Sequence, residues 1–296
     1  MSDSAVSGRL PSEKVNRMNK FLILQSDFGL VDGAVSAMEG VALSVCPELN
    51  IRNLTHEITP YNIFEASYRL FQTIEYWPEG SVFVSVVDPG VGSKRKSVIA
   101  LTNDNKYIVT PDNGTLTHVH KYIGIKEVRE IEEATNRRKD SEKSYTFHGR
   151  DVYAYAGARL ASGVITYEQV GPQLPLEKIC MLPTYQTEVK ENTVTGAIDI
   201  LDVRFGSLWT SIRQDEFEQI GPQFGSKFEV TIKNHDMLVY QDEIVYGRSF
   251  SEVRIGAPII YVNSVYHVAV AINQGSFAKA YNIGVGHQWT ITLKKL

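Results

Sequence analysis

The sequence predicts an α/β protein with two parts, an N-terminal, mainly parallel α/β sandwich domain and a C-terminal antiparallel β-barrel domain. In the first half, short apolar segments alternate with stretches of helical periodicity, as in parallel strands joined by helices. After residue 193, short segments with strand-like alternation replace this pattern, which is typical of antiparallel barrels. A chain of 296 residues is long enough to bury two apolar cores.

The domain boundaries follow from changes in composition along the chain. Residues 1–19 are polar and Ser-rich, so we expect a disordered extension there. The α/β domain is predicted over residues 20–176 and the barrel domain over 193–296. The linker between them, 177–192, is stiffened by nearby prolines such as Pro183.

The composition limits the possible functions. Hydrophobic residues make up 43% and charged residues 22%, as in ordinary globular proteins. A formal net charge of -4 gives no basic surface for nucleic acid, and the apolar runs are far shorter than the roughly 20 residues that cross a bilayer. The cysteines, Cys46 and Cys180, lack paired spacing. We therefore expect a cytoplasmic protein that binds neither nucleic acid nor membrane.

The elements of the first domain are predicted in order. Strands are expected over 21–25, 50–54 and 81–87, a hairpin over 97–110, and helices over 32–45, 63–76 and 151–162. The charged stretch 129–143 predicts a solvated helix or loop. In the second domain, strands are expected over 196–203, 207–212, 227–233, 259–262, 268–272 and 289–293.

Acidic residues follow the first and third predicted strands, where α/β sheets bind ligands. Asp27 and Asp32 flank the first loop, and Asp88 begins the loop after the third strand. An ionised carboxylate can accept hydrogen bonds from both hydroxyls of a ribose. Asp also commonly caps helices and closes turns, so a structural role is the alternative for each.

His148 precedes the Ala-rich helix, where it could orient a water molecule or accept its proton; bonding to a loop carbonyl is the alternative. The histidines lack the HExxH spacing, and we predict no metal site. In the second domain, the segment 202–210 combines an acid, a turn and apolar residues. This segment suits a planar heterocycle, or equally a hairpin corner with core aromatics.

Together these motifs resemble the S-adenosylmethionine hydroxide adenosyltransferase family, which is related to the bacterial fluorinase and chlorinase. The resemblance covers residues 21–296. It rests on Ser26-Asp27-Phe28-Gly29 with Asp32, Val87-Asp88-Pro89-Gly90-Val91-Gly92-Ser93 with Arg95, Pro111-Asp112-Asn113-Gly114, Phe147-His148-Gly149-Arg150-Asp151, Asp202 with Phe205-Gly206, and Asn263-Ser264. Several motifs in one order are far more specific than any one alone.

The resemblance implies a homotrimer that hydrolyses S-adenosylmethionine to adenosine and methionine, with each site shared between subunits. Asp88, Arg95 and His148 would position the attacking water. The substrate-binding residues implied by the matching motifs are Asp27 for the ribose, Asp32 and Ser264 for the methionine end, Tyr61 and Phe147 as pocket lining, and, from the neighbouring subunit, Asp202, Phe205, Ser207, Phe250 and the backbone near Gln274. S-adenosylmethionine is the substrate, and no cofactor is implied.

The resemblance also distinguishes this chain from halogenases. The fluorinase pattern has a tyrosine at the place of Asp88 and a halide-binding serine at Gly149. One departure concerns substrate binding, because the family usually has Asn where this chain has Ser207, and a hydroxyl offers fewer hydrogen bonds than an amide. Two alternatives follow: a trimeric sensor that binds without cleaving, and a metal-dependent hydrolase built on Asp27, Asp88 and His148.

Overall fold

The computed structural model describes residues 20–296, so the disorder predicted for residues 1–19 lies outside the described residues. The chain divides into two compact units, Met1–Met181 and Leu182–Leu296. This boundary falls inside the predicted linker 177–192. Part of that linker has regular structure, because Glu188–Lys190 forms a strand that pairs within the second unit.

One mixed sheet organises residues 20–181. Its strands are β1 (Phe21–Ser26), β2 (Asn50–Thr55), β3 (Val82–Val86), β4 (Ser97–Thr102), β5 (Tyr107–Pro111), β6 (Ile125–Glu130) and β7 (Gln173–Leu174). The order across the sheet is β2-β1-β3-β5-β4-β6-β7. β2, β1, β3 and β5 run parallel, and from β5 to β7 the neighbours are antiparallel. The predicted α/β class is confirmed, and its parallel part is the half of the sheet that contains β1 and β3.

Helices cover both faces of this sheet. They are α1 (Ala34–Val45), α2 (Ile63–Ile74), α3 (Thr117–Tyr122), α4 (Glu133–Asn136) and α5 (Tyr155–Ala161), the last preceded by a π-helical turn over Gly149–Ala154. Leu22 and Leu24 of β1 share an apolar core with Met38 of α1 and Ala158 of α5. Ile23 points to the opposite face, since strand side chains alternate, and it is also fully buried.

Close packing of α5 on the sheet depends on Gly157. A Cβ atom there would lie 2.6 Å from Cγ2 of Val84 in β3, well inside van der Waals contact, so a residue without a side chain is required. This contact fixes the helical segment that begins directly after His148.

The charged stretch 129–143 is solvated only in part, since residues such as Lys139 and Glu142 are exposed but others are buried. Its first residues complete β6, and the guanidinium of Arg137 is buried. Arg137 is buried because an adjacent carboxylate and backbone carbonyls surround it, and these contacts depend on tertiary folding.

The second unit is one antiparallel sheet that curls nearly into a barrel. Its strands are β8 (Glu188–Lys190), β9 (Thr193–Leu201), β10 (Leu208–Arg213), β11 (Lys227–Asn234), β12 (Met237–Val245), β13 (Pro258–Val262), β14 (His267–Ile272) and β15 (Gly286–Lys295). The order is β12-β11-β15-β9-β10-β14-β13, with β8 beside β9. A single bridge, Tyr246 to Ile260, links the ends of the sheet. The predicted antiparallel domain is therefore confirmed.

Two strands of the second unit, β8 and β12, and the short helices α6 (Gln214–Glu218) and α7 (Phe277–Tyr281) were not predicted. β12 lies at the sheet edge and its centre is polar and exposed, so its apolar signal is weak. Within residues 20–296, no helix is long and apolar enough to span a membrane.

Candidate functional site

Each unit contains a cleft lined by residues that the sequence singled out. The first cleft, in the first unit, has a volume of about 360 Å³ and is lined by Asp27, Phe28, Pro60, Tyr61, Val86, Asp88, Val91, Thr146, Phe147, His148 and Gly149. The second cleft, in the second unit, has a volume of about 690 Å³ and is lined by Asp202, Arg204, Phe205, Ser207, Trp209, Phe250, Tyr261, Asn263, Ser264, Ile272, Asn273, Gln274, Gly275 and Ser276. Nearly all predicted site residues therefore fall into one of two places.

A buried ion pair lies at one wall of the first cleft. Asp88 follows the carboxyl end of β3, and Arg95 precedes β4. The Arg95 Nε atom donates to Asp88 Oδ1 at 2.8 Å, and Nη2 donates to Oδ2. Only 5% of the Asp88 side chain and 11% of the Arg95 side chain are exposed. This bidentate arrangement fixes the orientation of the carboxylate.

Arg95 is held on its other sides as well. Its Nη1 atom donates to the hydroxyl of Ser97 at 3.2 Å, and its guanidinium lies over the ring of Tyr153, 5.6 Å from the centroid. Burial by itself would lower the pKa of Arg95. The hydrogen bond to Asp88 and the neighbouring negative charges outweigh burial and raise the pKa of Arg95. The guanidinium is a fixed positive charge beside the cleft.

His148 faces the same guanidinium. Its Nδ1 atom lies 3.2 Å from Arg95 Nη2. Because a guanidinium can only donate, we assign Nδ1 as the acceptor and place the proton of the neutral ring on Nε2. Burial is the largest cause that lowers the pKa of His148, and the charges of Arg95 and Arg137 lower it further against the opposing effects of Glu133 and Asp88. The neutral imidazole therefore offers a donor at Nε2.

This Nε2 atom is buried, and the residues described here, 20–296, provide it with no hydrogen-bond partner. His148 lines the first cleft. An unpartnered N–H in a cleft is suited to donate to a bound molecule. The geometry favours the orienting role predicted for His148 over the proton-accepting one, because Nδ1 is occupied and Nε2 already carries a proton.

Asp27 and Tyr61 also line the first cleft. Asp27 Oδ2 accepts the backbone N–H of Tyr61 at 2.8 Å. Tyr61 has φ of 67°, in the left-handed region that non-glycine residues rarely adopt, and 72% of the residue is exposed. The strained backbone orients the Asp27 carboxylate, and the phenol ring is left at the mouth of the cleft.

Asp32 lines neither cleft, and unlike Arg95, which also lines neither but contacts Asp88 and His148, it has no contact with the first cleft's ion pair. Its Oδ1 atom accepts the backbone N–H of Ala34 at 2.8 Å at the start of α1. This contact is the structural alternative considered for the acids in this loop, a side chain that closes a turn.

Gly149 lies at a crowded point of the first cleft. A Cβ atom at this position would lie 3.2 Å from side-chain atoms of Phe28 and Val86 and 3.3 Å from the ring of Phe147. These distances are shorter than ordinary van der Waals contacts, so any larger residue would displace its neighbours. Apolar side chains thus fill the space next to His148.

The second cleft is built on a tight turn between β9 and β10. Asp202 Oδ1 accepts the backbone N–H groups of Arg204 at 3.2 Å and Phe205 at 3.3 Å. Gly206 adopts φ of 69°, and a Cβ atom there would lie 1.9 Å from the Ser276 hydroxyl oxygen. The turn therefore requires glycine, and it leaves Phe205 70% exposed.

Both readings proposed for this segment find support, because the hairpin corner is real and its residues also line the cleft. The sequence singled out Trp209 only as part of the segment 202–210 and assigned no role to Tyr261, and both residues line the cleft. Burial is the main cause that raises the pKa of Tyr261, and the neighbouring side chains of Ser207 and Trp209 act against it. Ser207 and Trp209 lie two residues apart along the chain, and this spacing was the available signal for Trp209.

Residues 20–296 contain no group of three or more His, Cys, Asp or Glu side chains arranged to hold a metal ion. Asp27, Asp88 and His148 line one cleft, but Asp88 and His148 both face Arg95, whose positive charge would repel a cation.

The chain is similar to known proteins over most of its length. A family model for the SAM hydroxide adenosyltransferase N-terminal domain matches residues 22–171, and one for the C-terminal domain matches residues 196–290. A protein of Thermus thermophilus named (R)-S-adenosyl-L-methionine hydrolase is 34% identical over 266 residues, which cover 88% of this chain and 95% of that protein. A fluorinase of Actinopolyspora mzabensis is 26% identical, with 92% and 96% covered.

Solved structures agree with this similarity. The crystal structure of an uncharacterized conserved protein from Thermotoga maritima has a TM-score of 0.85 and 30% sequence identity, and the match covers 93% of this chain and 99% of that one.

Proposed function

Because the chain belongs to the S-adenosylmethionine hydroxide adenosyltransferase family, we propose that it hydrolyses S-adenosylmethionine by attack of water on the ribose C5′. The observation that carries this proposal is the cluster of Asp88, Arg95 and His148 at the first cleft. The cluster combines a fixed carboxylate acceptor with an unpartnered imidazole donor. These two groups can hold a water molecule from both sides.

In the proposed reaction, the water oxygen bonds to C5′ while the C5′–S bond breaks and its electron pair leaves with sulfur as methionine. Asp88 accepts a hydrogen bond from the water, and His148 Nε2–H donates to the water oxygen. The remaining lone pair is then directed at C5′. One proton is released for each adenosine formed. The sulfonium is already a good leaving group, so this chain's residues need to align and partly desolvate the nucleophile.

The crowding around Gly149 supports water rather than halide as the nucleophile. The fluorinase pattern places a serine there and a tyrosine at the place of Asp88. In this chain, a Cβ atom at Gly149 would lie 3.2 Å from Phe28 and 3.3 Å from Phe147, so a serine would require these rings to move by a few tenths of an ångström. The negatively charged Asp88 would also repel a halide ion at the reacting position.

We further propose that the chain forms a homotrimer in which the first cleft of one subunit faces the second cleft of its neighbour. The two clefts have complementary chemistry. The first offers Asp27 and the ion pair, and the second offers exposed aromatic side chains, Phe205 and Phe250, that suit a purine base. Cys46 and Cys180 are unpaired, which agrees with the proposed cytoplasmic location.

The reaction is tested with purified protein, S-adenosylmethionine and water enriched in heavy oxygen, in chloride-free buffer that contains EDTA. We expect chromatography and mass spectrometry to detect adenosine labelled at the 5′ oxygen together with unlabelled methionine. Intact substrate that remains bound to the protein would instead indicate the sensor function, for which Ser207 is the best argument. Activity that EDTA abolishes and a divalent ion restores would indicate the metal-dependent alternative.

A further inference from the structure

The segment 133–145 lies beside the catalytic cluster but has no role in the reaction proposed above. Arg137 organises it. The Arg137 Nη1 atom donates to Glu133 Oε2 at 3.1 Å, Nε donates to the Ser141 hydroxyl at 2.9 Å, and Nη2 donates to the Ser144 carbonyl at 3.0 Å. Only 6% of this side chain is exposed. A buried guanidinium therefore ties the loop to Glu133.

One arm of this arrangement leads to His148. The Arg137 guanidinium lies over the ring of Tyr145, 4.8 Å from its centroid. The ring of Tyr145 in turn meets the imidazole of His148 edge to face, with centroids 6.3 Å apart. The position of the imidazole thus depends on a loop that Arg137 holds in place.

A second arm leads to Arg95. Glu133 Oε1 accepts from the hydroxyl of Ser97 at 3.5 Å, and that hydroxyl accepts from Arg95 Nη1 at 3.2 Å. Because Arg95 also contacts His148, the two chains of contacts that start at Glu133 meet at the Arg95–His148 pair. The two oxygens of the Glu133 carboxylate serve the two arms separately.

The carboxylate lies at the edge of a polar cavity of about 370 Å³, which Arg95 and Ser97 also line. The Glu133 side chain is 38% exposed, so water can reach its carboxylate. Loss of Glu133 would leave Arg137 as a buried charge without its carboxylate partner, and such a charge destabilises its surroundings strongly. The loop would be expected to shift, and the ring of Tyr145 with it.

We propose that Glu133 is a positioning residue that aligns Arg95 and His148 with each other for the hydrolysis. This inference rests on the proposed function. Glu133 does not touch the substrate; it acts through Ser97 on one side and through Arg137 and Tyr145 on the other. Small displacements of catalytic groups have large effects on rate, so one carboxylate shared by both arms can control the geometry of the cluster.

The test compares Glu133→Ala with Glu132→Ala, because Glu132 lines the same polar cavity but its carboxylate only caps α4. We expect Glu133→Ala to lower kcat about tenfold or more at unchanged KM. Glu133→Gln, which keeps an acceptor for Arg137, should recover part of the rate and replaces Glu133→Ala if that variant does not fold. Glu132→Ala should retain the wild-type kcat even if its thermal unfolding midpoint falls.

A second measurement needs no substrate. The imidazole ¹⁵N signals of His148, identified by their loss in His148→Gln, should shift in the Glu133 variants and stay unchanged in Glu132→Ala. A kcat and a His148 spectrum that both match wild type in the Glu133 variants would overturn the inference, as would an equal loss of kcat in Glu132→Ala. If the wild-type protein shows no hydrolysis, the proposed function fails, and the His148 spectrum alone decides the positioning role.

Discussion

The Asp88→Asn substitution tests the water-positioning role with almost no change in side-chain size. Asp88 accepts two charge-assisted hydrogen bonds from Arg95. The asparagine oxygen can accept one of them, while its NH₂ group would face a guanidinium N–H, which also only donates. The pair is nearly inaccessible to water, so breaking it should lower the free energy of unfolding by about 3 kcal/mol.

The effect on catalysis should be larger than the effect on binding. The variant lacks the carboxylate that accepts a hydrogen bond from water, and the orientation of Arg95 is disturbed. We expect kcat to fall by about 10²- to 10⁴-fold, the range for loss of a group that handles the proton of the nucleophile. KM should stay within about threefold of wild type, because the interaction is made with the water rather than with the substrate.

Adenosine release is measured by chromatography below the unfolding temperature of the variant, and S-adenosylmethionine binding is measured by calorimetry. Ser93→Ala is the control, because Ser93 lies in the same loop and accepts only the backbone N–H of Arg95 through its side chain. It should keep both activity and binding. A turnover close to wild type in Asp88→Asn, or a loss of binding as large as the loss of turnover, would refute the role assigned to Asp88.

Two further predictions concern the assembly and the pH dependence of stability. If each site is shared between neighbouring subunits, refolding an equal mixture of Asp88→Asn and Asp202→Asn chains should restore about a quarter of the wild-type activity, because random assembly leaves both residues intact in that share of the sites. A refolded mixture that is as inactive as either variant alone would contradict the shared site. A monomer detected by light scattering would also contradict it. Burial is the main cause that lowers the pKa values of His56 and His148 from 6.5, so the unfolded chain binds more protons than the folded one just below pH 6.5. The free energy of unfolding should therefore rise with pH up to about 6.5 and then level off. Thermal unfolding measured between pH 5 and 8 should show a weaker pH dependence for His56→Gln than for the wild type. An equal pH dependence in the two proteins would contradict the contribution of His56.

Most elements of the first unit could be predicted in order because its apolar periodicity is strong, although α3, β6 and β7 were not. The strands β1 and β3 are nearly continuous apolar runs bounded by loops, and they were predicted within about a residue of their observed ends. The prediction that the charged stretch 129–143 is solvated holds for residues such as Lys139 and Glu142 but not for Arg137. The composition of this stretch is that of a surface segment, and only folding shows that Glu133 and the loop carbonyls surround Arg137.

The candidate site was likewise predictable from the sequence only in part. The acids that end strands and the histidine before the Ala-rich helix were found from sequence, because the carboxyl ends of parallel strands gather at one edge of a sheet. The family resemblance grouped Asp88 with Arg95 and His148, and the bidentate contact between Asp88 and Arg95 is a result of the structure. Asp32 could not be separated from Asp27 by residue type or loop position, yet Asp32 closes a turn.

The sequence by itself determined the fold class, the family and the chemical groups available for the reaction, because these depend on residue type, periodicity and motif order along the chain. The tertiary structure decided how those groups are used. The contact of His148 Nδ1 with Arg95 sets which ring nitrogen donates, and the neighbours of Gly149 limit what fits beside it. These properties depend on distances between residues that are far apart in the chain. The packing of α5 against β3 sets such distances, and no local sequence pattern encodes them.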